Sequence, residues 1–505
     1  MTRFVLRRLA VSSLILLVGS LLMFVLTINS GDPLEDLRES TASNRDQLMQ
    51  SRITNMGLDQ PWYVRYFTWL SGAAGCLIGK CDLGTDRAGS DVTALLAQAA
   101  GSTLRLVTIA TFAAIIVGVI IGIITAIRQY SGFDYVVTFI SFLFFSLPVF
   151  WAAVLLKEFG AIRFNDWIAD PQISLLQAIV TGLVLAVILS SIMGGDWKRR
   201  LLTGAITGVF VVAALMYFTA VGWWRNPALG VGLVALVSLG FAVGLVALIT
   251  GLGNRRVLYS TLTTVGVGIV VYFAVAPLLD EPNWLLLAGL FVSSLVIGLL
   301  IGRLWGGYSK GTAMALSAVT ATFMAAMTFL DHLVYAWAGF LQLKPRPIST
   351  IGSQTPNFPG DFWETTLDWG TQLLLPTALL TLVSVASYQR YTRASMLETL
   401  NQDYVRTARS KGLGERTVIV KHAFRNALIP ITTIVAFNFA GLISGAVITE
   451  TVFGWKGMGE LFKSGLNNVD PAPVMAFFLV TAIAAIVMNM IADIAYAFLD
   501  PRIRR

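Results

Sequence analysis

The sequence predicts an all-α polytopic membrane protein. Of its 505 residues 56% are hydrophobic and only 13% charged, more apolar than soluble chains tolerate. Apolar runs of about twenty residues, the length that crosses a bilayer as a helix, recur along it. Lysines and arginines gather in the short stretches between alternate runs, as membrane insertion requires.

The first run follows Arg3, Arg7 and Arg8 and extends to Ile28. It is longer than the apolar part of a cleavable leader and lacks a small-x-small exit, so a retained helix at 1–28 with its N-terminus inside is expected. Residues 29–102 are the one sizeable polar stretch. Between Asp32 and Asp91 it carries nine acids and six bases, and Pro33, Pro61, Trp62 and the glycines from Gly72 to Gly84 predict a small folded cap outside the membrane. Both cysteines, Cys76 and Cys81, lie in it. Outside, a disulfide between them can persist, with two free thiols as the alternative.

Further runs fall at 103–127, 135–156, 173–193, 201–221, 228–250, 257–279, 284–302, 313–337, 373–389, 429–449 and 474–498, which makes twelve candidate helices in all. Threading them from an inside N-terminus puts Lys198-Arg199-Arg200, Arg255-Arg256 and the stretch from Arg303 to Lys310 inside. Trp223-Trp224 and Asp280-Glu281-Pro282 then fall outside, and both termini inside. Pro148 within the third run removes a helical hydrogen bond and predicts a kink. Asp331 and His332, near the outer end of the 313–337 run, are functional candidates as ionisable groups in a span. Their nearness to an interface favours a solvated structural role. Arg105 reads as an interfacial snorkelling side chain at the outer start of the second helix, and Asp493 in the last helix should face protein or a basic neighbour.

The loop at 390–428 is the most informative segment. From Arg390 to Arg425 eight Lys or Arg stand against Glu398, Asp403 and Glu415, which places it inside. Gly412 permits a turn that other residues disfavour, so two short helices at an angle are expected, presented as a knob. Several function classes are excluded or unsupported. The net charge of +8 sits in short loops and implies no nucleic-acid partner. His332 and His422 are far apart and leave no Cys/His metal site. No nucleophile–base–acid arrangement is visible, and without a GxxxxGK[ST] loop the chain itself is not expected to bind and hydrolyse ATP by that route. Glu450 is followed by Gly454, Gly457 and Gly459, a turn that cannot be regular helix throughout; it reads as a short re-entrant gate, with an ordinary surface loop as the alternative.

Tyr404-Val405-Arg406-Thr407-Ala408-Arg409, then Lys411-Gly412-Leu413, then His422-Ala423-Phe424-Arg425-Asn426-Ala427 resembles the coupling loop of membrane subunits of ATP-binding-cassette importers of the dipeptide, oligopeptide and nickel permease family. Arg406-Thr407-Ala408 stand where the general pattern has Glu-Ala-Ala, as in the peptide branch. Gly57-Leu58-Asp59-Gln60-Pro61, Cys81-Asp82-Leu83-Gly84 (a cysteine for the usual glycine), Ser146-Leu147-Pro148-Val149-Phe150-Trp151, Ser395-Met396-Leu397-Glu398, Glu450-Thr451-Val452-Phe453-Gly454-Trp455, Gly457-Met458-Gly459 and Asp500-Pro501-Arg502 extend the resemblance.

The resemblance implies a six-helix permease core made of the helix at 1–28, core helices at 103–156 and core helices at 373–505. A block of about six additional helices at 157–337 has no counterpart in the pattern, and an extracytoplasmic loop at 338–372 follows it. Being nearly free of charge, the inserted helices are expected on the lipid-facing flank of the core. By resemblance Arg406, Ala408, Gly412, Leu413, Arg416 and His422 form the knob that meets an ATPase. Glu450, Gly454, Gly457 and Gly459 lie on the outer, binding-protein side, and the cap docks the binding protein or merely seals the outer mouth. The implied partners are a second similar permease, two ATPases carrying ATP and Mg, an extracytoplasmic binding protein, a peptide and membrane lipid. The implied place is the bacterial cytoplasmic membrane. A nickel chelate or another solute is the alternative cargo. A secondary transporter is the rival class, although the internal symmetry it should carry is not visible, and a receptor or scaffold on the same core is the third.

Overall fold

A computed structural model of the chain describes the backbone of residues 2–499 and the side chains of residues 10–491, apart from 416, 429, 436, 440, 444 and 445. Asp493, Asp500-Pro501-Arg502 and the side chain of Arg416 therefore lie outside the described residues. The principal helices are α1 (Thr2–Ile28), α2 (Arg45–Met56), α3 (Trp62–Gly75), α4 (Val92–Ile127), α5 (Gly132–Ser146) and α6 (Val149–Lys157). Then come α7 (Leu175–Met193), α8 (Trp197–Ala220), α9 (Gly230–Ile249), α10 (Arg255–Val275), α11 (Trp284–Trp305) and α12 (Lys310–Tyr335). The chain closes with α13 (Phe362–Leu400), α14 (Asp403–Ser410), α15 (Arg425–Phe453), α16 (Met458–Asn467) and α17 (Pro471–Leu499). Among the described residues ten helices are long and apolar enough to cross a membrane, and two bent pairs raise the number to twelve.

Polar residues set several helix starts. Asp91 accepts from the Thr93 N–H at 2.8 Å, so α4 begins at Val92 and the apolar run from 103 is its later part. Arg105 consequently lies well inside α4, its Nε donating to the Gly101 carbonyl at 3.2 Å. Ser174 and Gln177 close a reciprocal capping box on α7. Asn254 and Asn283 cap α10 and α11. The expected kink at Pro148 is a full break. With Leu147 extended and Pro148 at the cap of α6, the chain turns through 104° between Gly132–Ser146 and Val149–Ala169.

The chain divides into two compact units. The first comprises residues 1–161, 350–353 and 372–505. Its core joins Leu106, Val107 and Ala110 of α4 to Ile443 and Ala446 of α15 and to Trp455, Met458, Ala476 and Phe477. Close approach comes from two glycines. A Cβ on Gly118 would lie 2.6 Å from the Tyr388 Cβ, and one on Gly122 2.6 Å from the Thr392 Cβ, so α4 and α13 touch almost backbone to backbone. At one end of these helices Arg393 grips the buried Asp134, with Nε to Oδ1 at 2.9 Å and Nη2 to Oδ2 at 2.8 Å. Two fork-shaped charge-assisted bonds fix orientation as well as contact.

The second unit comprises residues 162–349 and 354–371. Helices α9 to α12 bury Val234, Ala242, Val265 and Met324 in one cluster and Val246, Val257, Ala313 and Leu316 in another. Gly298 of α11 lies so near α12 that an added Cβ would stand 2.6 Å from the Ala318 Cα. Beyond that contact an apolar cleft of about 610 Å³ opens among α10, α11 and α12. Asp331 is buried, contrary to the solvated role its sequence position favours. It accepts from the Gly230 N–H at 2.9 Å and the Tyr272 hydroxyl at 2.5 Å, which ties α9 and α10 to α12. Asp368 is likewise buried and takes Lys344 Nζ at 2.7 Å and the Thr355 hydroxyl at 2.7 Å.

Candidate functional site

Three places in the first unit carry the sequence-predicted residues. The helix–turn–helix after α13 is built from α14, a turn at Lys411 to Gly414, and a helical stretch from Glu415 that widens over Val418–Phe424 before α15. Gly412 has φ +75°, a conformation that disfavours every side chain bearing a Cβ, and no atom lies within 4 Å of where its Cβ would be. Val405, Ala408 and Val418 form a small buried cluster that locks the two arms together. Ala408 is thus the inside of the knob, while Arg406 and Leu413 face outward and His422 is half-buried. Arg409 Nη2 and Nε meet Glu415 at 2.6 and 3.1 Å across the turn, and the guanidinium holds that carboxyl below its usual range. Both groups are largely exposed, so the pair adds shape more than stability. At the root of the knob Met396, Ala423, Ala427 and Ala126 pack as one cluster, and Ser395 donates to the Ala427 carbonyl at 3.1 Å.

The second place is the turn after α15. Gly454 ends that helix in the left-handed region at φ +55°. Glu450 is fully buried, its Oε1 accepting from the Thr103 hydroxyl at 2.6 Å and its Oε2 from the Gly459 N–H at 2.7 Å. Thr103 in turn accepts from the Met458 N–H at 2.8 Å. A Cβ on Gly457 would overlap the Glu450 carboxylate, and one on Gly459 would stand 2.6 Å from the Val447 Cα. The glycines are there because the carboxylate occupies the space. Trp455 and Met458 are buried with it, so the turn is an interior element rather than a loop on the surface.

The third is the polar segment between α1 and α4. Cys76 and Cys81 are joined by a disulfide. Leu83, within the Asp82-Leu83-Gly84 stretch, is buried, and its backbone N–H donates to Thr93 Oγ1 at 3.1 Å. Asp470, just before α17, receives the Arg87 N–H at 2.7 Å and the Ala472 N–H at 3.3 Å, closing the segment onto the last helix. Burial pushes Asp470 up to about 6, with Asp86 adding to the rise and Arg87 opposing it.

That shift makes a prediction. A carboxyl whose folded pKa is raised contributes stability that is complete below its unfolded value near 3.8 and lost as pH rises through about 6. Two units correspond to at most about 3 kcal/mol. The melting temperature of the purified chain is expected to fall between pH 4 and pH 7, and Asp470→Asn, which cannot ionise, is expected to flatten that slope. An unchanged slope in the variant would assign the pH dependence elsewhere.

Sequence reasoning missed Thr103, Asp134, Arg393 and Asp470. Only Asp470 has a local signal, its place before Pro471 at a helix start. Among the described residues no group of three His, Cys, Asp or Glu is placed to hold a metal ion.

With up to twelve apolar helical spans among the described residues, a locked basic helix–turn–helix and a buried glycine-rich turn, the chain is a multi-pass membrane protein. The family model described as binding-protein-dependent transport system inner membrane component matches residues 283–505, and the N-terminal model of the same system matches residues 1–85. The oligopeptide transport system permease protein OppB of Mycobacterium tuberculosis is 37% identical over 218 residues, which are 41% of this chain and 66% of that protein. A putative peptide permease protein of Brucella suis is 36% identical over 225 residues, 44% of this chain and 68% of its own length. The oligopeptide transport system permease protein AppB of Bacillus subtilis is 45% identical over 131 residues, 26% of this chain and 42% of its own. The chain belongs to the family of binding-protein-dependent transport system inner membrane components. It spans just under two thirds of the mycobacterial relatives' length.

Proposed function

We propose that the chain is a pore-forming permease subunit of an ATP-driven importer of peptides. The observation that carries this reading is the helix–turn–helix at 403–424, rigid inside through Val405, Ala408 and Val418 and presenting Arg406 and Leu413 outward, in a chain of this family. A preformed element of that kind transmits force because its two arms move as one body. The relatives named for oligopeptide and dipeptide transport supply the cargo class. In this reading both termini and the knob are cytoplasmic, in a bacterial inner membrane. A second permease completes the pore, two ATPases bind ATP and Mg and seat the knobs, and an extracytoplasmic binding protein delivers the peptide. ATP binding closes the ATPases, draws the knobs together and exchanges inward-open for outward-open states.

The test is to purify the tagged chain in mild detergent, identify its companions, and measure ATP hydrolysis of the assembly with and without short peptides. Two ATPase subunits and peptide-stimulated hydrolysis are expected. A chain that purifies without any ATPase and moves solute down an ion gradient would be a secondary transporter. Stimulation by a nickel chelate but by no peptide would change the cargo and leave the machine.

A further inference from the structure

The two cap motifs, Gly57-Leu58-Asp59-Gln60-Pro61 and Cys81-Asp82-Leu83-Gly84, stand far apart in sequence, yet residues of both line one cleft of about 270 Å³. Its floor is apolar: Phe24, Trp69 and Met475, which with Tyr66 form a cluster of their own. Its walls are polar, with Asn55, Gln60 and Arg65 on one stretch of chain and Asp82, Thr85 and Asp470 on others.

The charges in this cleft are not matched to one another. Arg65 is half-buried, 5.9 Å from the centre of the Phe24 ring, and among the described residues it makes no hydrogen bond or ion pair. It feels the charge of Asp470 without touching it. Asp470 has both oxygens taken by backbone N–H groups. Asp82 accepts from the Gly84 N–H through Oδ1 at 3.0 Å, and its other oxygen takes no hydrogen bond among the described residues. A half-buried guanidinium pays for its lost water only when an acceptor reaches it, and a carboxylate satisfies its fork with two parallel bonds.

We propose that this cleft binds a small zwitterion of the α-amino acid class with an apolar side chain. The ligand carboxylate meets Arg65, its ammonium meets the free oxygen of Asp82 in the negative field of Asp470, and its side chain lies on Phe24, Trp69 and Met475. The volume falls just under the roughly 300–1,000 Å³ of drug-sized sites, which suits a single residue better than an extended peptide. The apolar floor favours leucine over glycine, since each buried methylene contributes about 0.8 kcal/mol. The inference goes beyond the transport reading and stands without it, because the site is complete within this chain.

The experiment uses the purified full-length chain and needs neither ATPase nor uptake. Leucine, N-acetylleucine, which lacks the ammonium, and leucinamide, which lacks the carboxylate, are titrated calorimetrically. Leucine is expected to bind, and each blocked analogue to bind at least tenfold more weakly. Arg65→Met, which keeps the apolar stem, is expected to abolish leucine binding, Arg65→Lys to restore part of it, and Asp82→Asn to weaken it. Melting without ligand shows that each variant is folded. Absence of leucine binding to the native chain, equal binding of N-acetylleucine, or undiminished binding to a folded Arg65→Met would overturn the proposal. Peptide uptake by the assembled importer is measured separately, so a failed transport reading and a failed cleft are told apart.

Discussion

Replacement of Gly412 by valine is expected to leave the chain inserted and assembled while peptide uptake falls roughly ten- to hundredfold. The residue is exposed, and no atom lies within 4 Å of the position a Cβ would take, so the substitution removes no packing and creates no clash. Its whole effect runs through the backbone. At φ +75° a β-branched residue is strained by about 1–3 kcal/mol. At 1.4 kcal/mol per factor of ten, that strain depletes the native turn by about one to two decades. The arms joined by Val405, Ala408 and Val418 then lose their fixed angle. The order Gly, Asn, Ala, Val is expected in uptake, because asparagine tolerates the left-handed region better than alanine. Membrane yield should stay flat across the series. Uptake by the valine variant at the native rate would show that the turn does not couple.

What the sequence makes legible, and what it leaves dark, follows from the range of each interaction. Each of the twelve apolar runs has a counterpart among the helical spans and bent pairs, because hydrophobic length is a local property that a window of residues displays. Helix ends are less legible. The stretch from Val92 to Ser102 mixes small and polar residues and shows no apolar run, although the Asp91 cap starts α4 there. Likewise α13 begins at Phe362, where Glu364 and Asp368 hide the helix behind charge. Pro148 gives a kink or a break with equal ease, and only the extended Leu147 decides for a break. Gly412 is readable as a turn because glycine carries its own conformational signature.

The polar contacts that bind the fold together are the least legible. Thr103 and Glu450 are 347 residues apart, and Asp134 and Arg393 are 259 apart. Neither pair leaves a trace in composition or periodicity. Asp331 shows the same limit from the other side: its sequence position near an interface favours solvent, and its burial depends on Gly230 and Tyr272 arriving from other helices. The cleft around Arg65 draws on α1, α2, α3, the Asp82 stretch and the start of α17, so its two motifs look independent until the chain folds.

Glu450→Ala is expected to be the most destabilising single change in the first unit, at about 2–5 kcal/mol. Removing the carboxylate leaves the Thr103 hydroxyl and the Gly459 N–H without their acceptor in a buried setting, and each orphaned donor costs about 1–3 kcal/mol. A cavity beside Trp455 and Met458 adds to the loss. Glu450→Gln should be milder. Its carbonyl can take the Gly459 N–H while its amide meets the Thr103 oxygen, which leaves one hydroxyl proton unplaced rather than two donors. A second substitution separates this account from a general loss of packing. Gly457→Ala brings a Cβ onto the Glu450 carboxylate and to 2.5 Å from Thr103 Oγ1, so part of its penalty should vanish when Glu450 is already alanine. Gly459→Ala instead meets the Val447 Cα at 2.6 Å, a backbone atom that Glu450→Ala does not remove, and its penalty should persist in the double variant. Melting curves of the four single variants and two double variants in one detergent measure these couplings. Additive penalties for both glycines, or a Glu450→Ala chain that melts with the native one, would remove the carboxylate from its place as the organiser of the turn.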